Sequence, residues 1–418
     1  GAFRYLTQDD PDAWRPSSTL LPAPAGRAFA VSRPDVRVGF KSAVGVWQPG
    51  DEAPRFVGLG SATWLGDWLV VSDAYAQGTL EVFELSTEAL RRYDVDLVGV
   101  SAAPSAKQAV ARALWVLDQD RQDLQGLLVD RVEDELWAVP APIFKTVRGR
   151  GYAMDLLPCR EWFDGGYCVK NLTRGTRWLP PPGTVVAALV GGWALLRDAT
   201  GGCRAVNVVS GAEFLPERDL PPAQRTPWLQ LVRVQERPML LGLVHDEDDR
   251  LILWARDLNA PSSAQVAELP CEGLRSGDLP RVNVWPTAGP YLLIDPHPHR
   301  GPYEVSTWAL DGVSLPVVRK QLAGAYGLCG PRAGDYLVVD PATRCLARCS
   351  GEEQGPPLEG LHEGVLSRAR IAWLATGELL VAHRDGRVSR VNEGGALEPM
   401  LELGAPETWP GARKLSAR

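Results

Sequence analysis

Hydrophobic and polar positions follow one repeated pattern along this chain: a short apolar run, an Asp, a turn, and a second, alternating run. It is seen at Trp68-Leu69-Val70-Val71-Ser72-Asp73, which leads past Gly78 into Leu80 to Leu85. It returns at Leu114 to Asp118, at Trp162-Phe163-Asp164, and at Ala194-Leu195-Leu196-Arg197-Asp198 followed by Val206 to Val209. Leu243-Val244-His245-Asp246, Leu292-Leu293-Ile294-Asp295, Leu337-Val338-Val339-Asp340 and Leu380 to Asp385 continue it. An apolar run of this length reads as a strand buried on both faces, and the alternating run as a half-buried strand. The Asp fits a hairpin turn, where its carboxylate accepts from nearby backbone amides.

The Asp positions 73, 118, 164, 198, 246, 295, 340 and 385 are separated by 45, 46, 34, 48, 49, 45 and 45 residues. A period near 45 over most of a chain signals a closed repeat built from four-stranded units. Between 160 and 260 the strand-sized runs Tyr167 to Leu172, Thr176 to Leu179, Val185 to Val190, Trp193 to Asp198, Cys203 to Val209 and Ala212 to Leu215 leave no room for long helices. The best helical stretch is Ser105 to Leu117. The expected fold is therefore all-β: a closed β-propeller of four-stranded antiparallel blades, eight by the count of marks, with seven as the alternative because of the 34-residue interval. Residues 28–403 form the propeller, 1–27 an N-terminal arm and 404–418 a tail. Val36 to Gly60, with Val44 to Trp47 and Arg55 to Val57 as strands, is expected to complete a blade with residues 370–403, since closure removes exposed sheet edges.

In period and in turn–strand wording, residues 36–403 resemble the WD40-like and quinoprotein-like propeller superfamily. The Trp-Asp dipeptide of WD40 repeats is absent, and Trp254-Ala255-Arg256-Asp257 only approaches it. The resemblance implies blade geometry and assigns no functional residue.

Composition narrows the class further. Of the 418 residues, 45% are hydrophobic and 23% charged, and the 42 Gly and 35 Pro punctuate the apolar runs without a collagen-like period. A net charge of -7 argues against a phosphate-binding surface, so no nucleic-acid partner is expected. No window is apolar enough to span a membrane. Seven cysteines, an odd number spread over a long chain, fit a reducing compartment. Gly1 to Asp12 show no signal pattern, so the expected location is cytoplasmic. Lysine occurs only at 41, 107, 145, 170, 320 and 414, a bias toward Arg that suggests a bacterial genome.

Candidate chemistry is sparse. Asp295-Pro296-His297-Pro298-His299-Arg300 alternates metal-ligand types, but its prolines restrict convergence and the plainer reading is a stiff loop. His245 and His383 sit at similar points beside Asp246 and Asp385, where a His–Asp pair serves as a general base or simply bonds within a blade; the latter is preferred, and His362 completes the five histidines. Asp246-Glu247-Asp248-Asp249 could be paired carboxylates, yet reads as an acidic hairpin tip without the glycine of a calcium loop. Cys345 and Cys349 share one strand face too far apart to bond, and Cys159 and Cys168 flank a hairpin. Most of the fifteen tryptophans fall in strands and fit packing between blades, while Trp228 and Trp285 fit partner or sugar contacts. No Walker A loop, dinucleotide fingerprint or nucleophile elbow occurs. No catalytic, cofactor or metal residue is assigned. The expected function is a non-enzymatic protein-interaction or scaffold propeller in a bacterial assembly. A propeller hydrolase or lyase is the first alternative and a carbohydrate-binding propeller the second.

Overall fold

The computed structural model describes residues 18–35, 41–72, 79–95, 123–124, 127–140, 144–148, 154–158, 168–226, 229–234, 236–245, 250–260, 264–269, 283–286, 291–295, 303–309, 320–322, 330, 335–340, 342–343, 345–350, 353–362, 369–383 and 385–412. The expected helix Ser105 to Leu117, and the marks Asp73, Asp118, Asp164 and Asp246, lie outside them.

Within the described residues the chain folds into consecutive antiparallel meanders. The first sheet is β1 (Thr19–Pro22), β2 (Phe29–Asp35), β3 (Lys41–Trp47) and β4 (Arg55–Leu59). The second is β5 (Ser61–Leu65), β6 (Trp68–Ser72), β7 (Thr79–Glu84) and β8 (Ala89–Asp94). The third joins β9 (Asp123–Leu124), β10 (Leu127–Val132), β11 (Glu135–Pro140), β14 (Val169–Asn171) and β15 (Arg177–Trp178), with a separate hairpin, β12 (Phe144–Arg148) and β13 (Met154–Pro158), between β11 and β14. The fourth is β16 (Thr184–Val190), β17 (Trp193–Asp198), β18 (Cys203–Asn207) and β19 (Glu213–Phe214). The fifth is β20 (Leu229–Val234), β21 (Arg237–His245), β22 (Leu251–Asp257) and β23 (Ala264–Leu269). The sixth is β24 (Asn283–Pro286), β25 (Tyr291–Asp295), β26 (Tyr303–Ala309) and β27 (Lys320–Leu322). The seventh shows β28 (Asp335–Val339), β29 (Cys345–Ser350) and β30 (Glu353–His362), and the last is β31 (Ala369–Trp373), β32 (Leu379–His383), β33 (Arg387–Val391) and β34 (Leu397–Glu402). Repeated four-stranded meanders packed face to face make this a β-propeller fold.

The burial pattern explains the sequence pattern. Each second strand lies inside its sheet and between two neighbouring sheets. Hence β6 is buried at every position, and Trp68 to Val71 read as a continuous apolar run. Outer strands such as β8 turn charge to solvent. Inner strands divide their side chains between two seams. On β10, Leu127 and Val129 pack against the second sheet, while Leu128 and Val132 pack against the fourth. Arg side chains over aromatic rings cross several seams: Arg55 over Phe83 at 5.5 Å, Arg131 over Trp68 at 4.2 Å and Arg348 over Trp373 at 4.8 Å.

Three expectations need adjusting. The first sheet draws all four strands from residues 19–59, so Val36 to Gly60 do not complete a blade with 370–403. The reason is β1, which supplies the missing strand from within the stretch assigned to the arm. Likewise Trp409, in the stretch assigned to the tail, is buried in the core shared by the first and last sheets. Among the described residues, one meander plus the inserted hairpin lies between the second and fourth sheets, rather than two evenly spaced repeats. The first sheet carries a further mark, Asp35, which ends β2 as Asp198 ends β17 and Asp295 ends β25.

Candidate interaction face

One edge of the sheets carries the tight turns that join first to second and third to fourth strands. Asparagine shapes three of the latter. Asn171 Oδ1 accepts from the amides of Thr173 (3.0 Å) and Arg174 (2.9 Å), and Asn207 Oδ1 from those of Val209 (3.0 Å) and Ser210 (2.9 Å). Asn392 Oδ1 accepts from Ala396 N at 2.9 Å. The backbone then reverses through a left-handed glycine, Gly175 (φ 73°), Gly211 (φ 74°) or Gly395 (φ 85°), whose N–H returns to the Asn carbonyl. An Asn followed by Gly at +3 or +4 marks these turns in the sequence; the Asp marks lie at the opposite edge.

Glutamate takes the left-handed position elsewhere on the same face. Glu88 (φ 55°) stands where Gly175 and Gly211 stand in their sheets, Glu133 (φ 55°) where Gly66 and Gly191 stand, and Glu236 (φ 62°) where Gly192 stands. A left-handed residue with a Cβ costs about 1–2 kcal/mol, so these acids are held against local strain. All three are exposed, as are Asp51, Glu52, Asp134 and Glu393 on neighbouring turns. Among the described residues, exposed bases on these turns are fewer, Arg27 and Arg174. Arginines behind the tips orient them: Arg55 reaches Glu88 at 2.8 Å, Arg233 reaches Glu236 at 2.8 Å and Arg131 reaches Asp134 at 3.3 Å.

The tips stand on an interlocked base. Arg131 from the third sheet bonds Asp67 in the β5–β6 turn and covers the Trp68 ring, which Arg91 also approaches. Burial raises the Asp67 pKa, but the bonds from Arg131 and Ser86 outweigh it and hold the carboxyl below its usual range. Deeper in, the fully buried carboxylate of Asp130 accepts from Gly192 N at 2.8 Å and from the Arg233 guanidinium. Third, fourth and fifth sheets therefore meet at one carboxylate. Gly191 and Gly192 make this possible. A Cβ on Gly191 would lie 3.1 Å from Pro238, and one on Gly192 3.3 Å from Val132. With no side chains in the fourth sheet's turn, Arg233 reaches across it to Asp130. Burial pushes the Asp130 carboxyl above its usual range, against the opposing pull of Arg233 and the two glycine amides.

At the opposite edge, the marks Asp198 and Asp340 cap turns as expected. Asp198 Oδ1 accepts from Thr200 N, Thr200 Oγ1 and Gly202 N at 2.6–2.8 Å, and Asp340 accepts from Ala342 and Thr343. Hydrogen bonds from Thr200 and from Thr343 lower the two carboxyls. His383 ends β32 as His245 ends β21. His383 Nε2 lies 3.0 Å from Ser389 Oγ on the adjacent strand, the within-blade bond that the sequence favoured. Burial lowers the His383 pKa, favouring the neutral ring. Asp295 ends β25, while His297, His299 and Asp246 to Asp249 lie outside the described residues. Trp285 lies in β24 rather than a loop, and Trp228 is outside the described residues. Cys345 and Cys349 share β29, both buried as thiols, and Cys168 is a buried thiol, while Cys159 is not among the described residues. Among the described residues no three His, Cys, Asp or Glu converge as metal ligands, and no helix is long and apolar enough to cross a membrane.

The class of fold is thus set by the sheets themselves. No family model and no curated protein matches the sequence. Among solved structures, the chain is similar to the computationally designed Ika8 protein, at 10% identity and a TM-score of 0.42, covering 93% of this chain and 98% of that one. It is similar to the β-propeller domain of the Trilobed protease from Pyrococcus furiosus, at 11% identity and TM-score 0.40, covering 90% and 99%. It is also similar to the β-propeller domain of Myceliophteria thermophila Cps50 (Swd1), at 13% identity and TM-score 0.35, covering 80% and 93%.

Proposed function

We propose that the sheets close into a ring of eight blades spanning residues 19–412, and that this ring is a non-enzymatic interaction module. Closure is supported by the order of packing. Each sheet with a described core faces its sequence neighbour, β20 lies beside β24 and β27 beside β28, and the last sheet shares a core with the first. The interaction reading rests on one observation: exposed glutamates at 88, 133 and 236 occupy left-handed turn positions that glycine fills in sister sheets. Strain kept at exposed tips of a rigid frame points to use of those tips. Their sign selects a partner with a basic surface, since complementary charge steers encounter and excludes like-charged competitors. The net charge of -7 is consistent with a protein partner rather than nucleic acid. The scarcity of lysine beside arginine and the odd number of cysteines support a bacterial, cytoplasmic assembly.

The test is quantitative affinity capture from the native lysate with the wild type, with Glu133→Lys/Asp134→Lys/Glu236→Lys, and with a control reversal at Asp340→Lys on the opposite edge. A partner held by the wild type and the control, lost from the triple variant, and weakened as salt rises supports the reading. Equal capture by all three proteins refutes the assignment of this face.

A further inference from the structure

The last sheet ends in a built device that neither the repeat pattern nor ring closure requires. After β34, Leu403 N donates to Gly386 O at 2.9 Å, and Gly404, left-handed at φ 58°, turns the chain away from its own sheet. The Arg33 guanidinium, from the first sheet, bonds the Gly404 carbonyl. A short 3-10 turn, Pro406–Thr408, follows, tightened by Thr408 Oγ1 on Ala405 O at 2.7 Å. It delivers Trp409 into the seam between the first and last sheets.

There Trp409 is 2% exposed and packs with Phe29, Trp47 and Ala43 of the first sheet and with Leu403 and Leu401 of the last. Its indole N–H donates to the Leu403 carbonyl, so the ring is buried with its polar atom satisfied. The ring lies over Gly45, where a Cβ would stand 2.7 Å from its Cε3 atom. Beyond it, the Pro410 carbonyl accepts from Phe56 N at 2.8 Å, so the tail bonds an amide on the outer strand of the first sheet. The segment anchors on one sheet, fills the seam and hydrogen-bonds the other.

We infer that the seam between the first and last sheets is a binding site for a Trp-Pro-Gly turn, occupied in cis by residues 404–411, and that this occupant clasps the ring. In many rings the first and last blades share strands; here each sheet is complete in itself, so the seam depends on side chains and on the clasp. The Arg27–Glu378 pair at 2.7 Å is a further tie across it, but Arg27 is exposed and such pairs contribute little. A buried tryptophan contributes more, through the apolar area it removes from water. The inference stands on the packing of the seam and is independent of the partner proposed above.

The experiment uses the full-length chain, a Trp409→Ala variant, and a fluorescein-labelled synthetic peptide of residues 403–412. The peptide is expected to bind the Trp409→Ala protein at least about tenfold more tightly than the wild type, whose site its own tail fills. Native-state hydrogen exchange should show the Phe56 amide opening about tenfold faster in the variant, with amides of β17 and β21 unchanged. If Trp409→Ala does not give folded protein, Gly45→Ala in the full chain serves instead: its methyl displaces the ring, so Phe56 exchange rises and the peptide finds no site. Equal peptide binding to wild type and Trp409→Ala, or unchanged Phe56 exchange in the folded variant, overturns the inference. Loss of partner capture leaves it untouched.

Discussion

Removing the Asp130 carboxylate tests how the sheets are locked together. Asp130 is fully buried and the Arg233 side chain is 8% exposed. Of the three guanidinium nitrogens of Arg233, one bonds Asp130, one reaches Glu236 at 2.8 Å, and Nε is buried without a partner. Asp130→Ala therefore leaves a buried cation whose remaining ion partner, Glu236, is 58% exposed. An exposed pair of that kind is worth about 0–1 kcal/mol, too little to offset the loss. Breaking a buried pair from one side costs about 3–5 kcal/mol, and the Gly192 amide loses its acceptor for about 1–3 kcal/mol more. Terms that share one cavity do not add fully, so the expected loss is about 3–6 kcal/mol. Removing both charges is a different perturbation. Asp130→Leu/Arg233→Met replaces the pair by apolar volume and should recover most of the loss. Urea unfolding followed by tryptophan emission, with exchange of β10, β16 and β20 amides as a local readout, measures both. A single variant within about 0.5 kcal/mol of wild type, or a double variant worse than the single, would refute the argument that a desolvated charge is what Asp130 neutralises.

Two further outcomes follow from packing and titration. Gly242→Ala places a methyl 2.2 Å from the Trp254 indole, which is wholly buried; overpacking there should cost about 1–3 kcal/mol and shift the emission of the folded protein, and an unchanged urea midpoint would contradict it. His383 has its pKa lowered by burial, so between the folded value and the ordinary value near 6.5 the unfolded chain binds the extra proton. Stability is thus fully present above that ordinary value and is lost as pH falls from it through the lower folded value. His383→Gln should flatten the drop in urea midpoint between pH 7.5 and 5.5, and identical slopes would exclude His383 as a contributor.

Some of this was legible in the residues. Runs such as Trp68 to Val71 and Trp193 to Leu196 carry their own signature, because a strand segment covered on both faces is apolar along its length. The turn-capping role of Asp198 and Asp340 was legible too, since a short carboxylate beside a strand end has few partners other than the next amides. The repeat count was less secure. Asp35 follows Arg33-Pro34 rather than an unbroken apolar run, and the inserted hairpin β12–β13 stretches the third sheet beyond the period. The glutamates at 88, 133 and 236 look like ordinary turn residues until their backbone angles are known.

Alternation, strand length and period set the class of fold, because they are local properties that any chain folding this way must carry. How the units lock follows only from contacts between residues far apart in the chain. Asp130 and Arg233 are 103 residues apart, with the whole fourth sheet between them in the chain, and Trp409 and Gly45 lie at opposite ends of the chain. Such pairs leave no periodic trace, since each depends on one side chain, one missing Cβ and the path of the backbone between them.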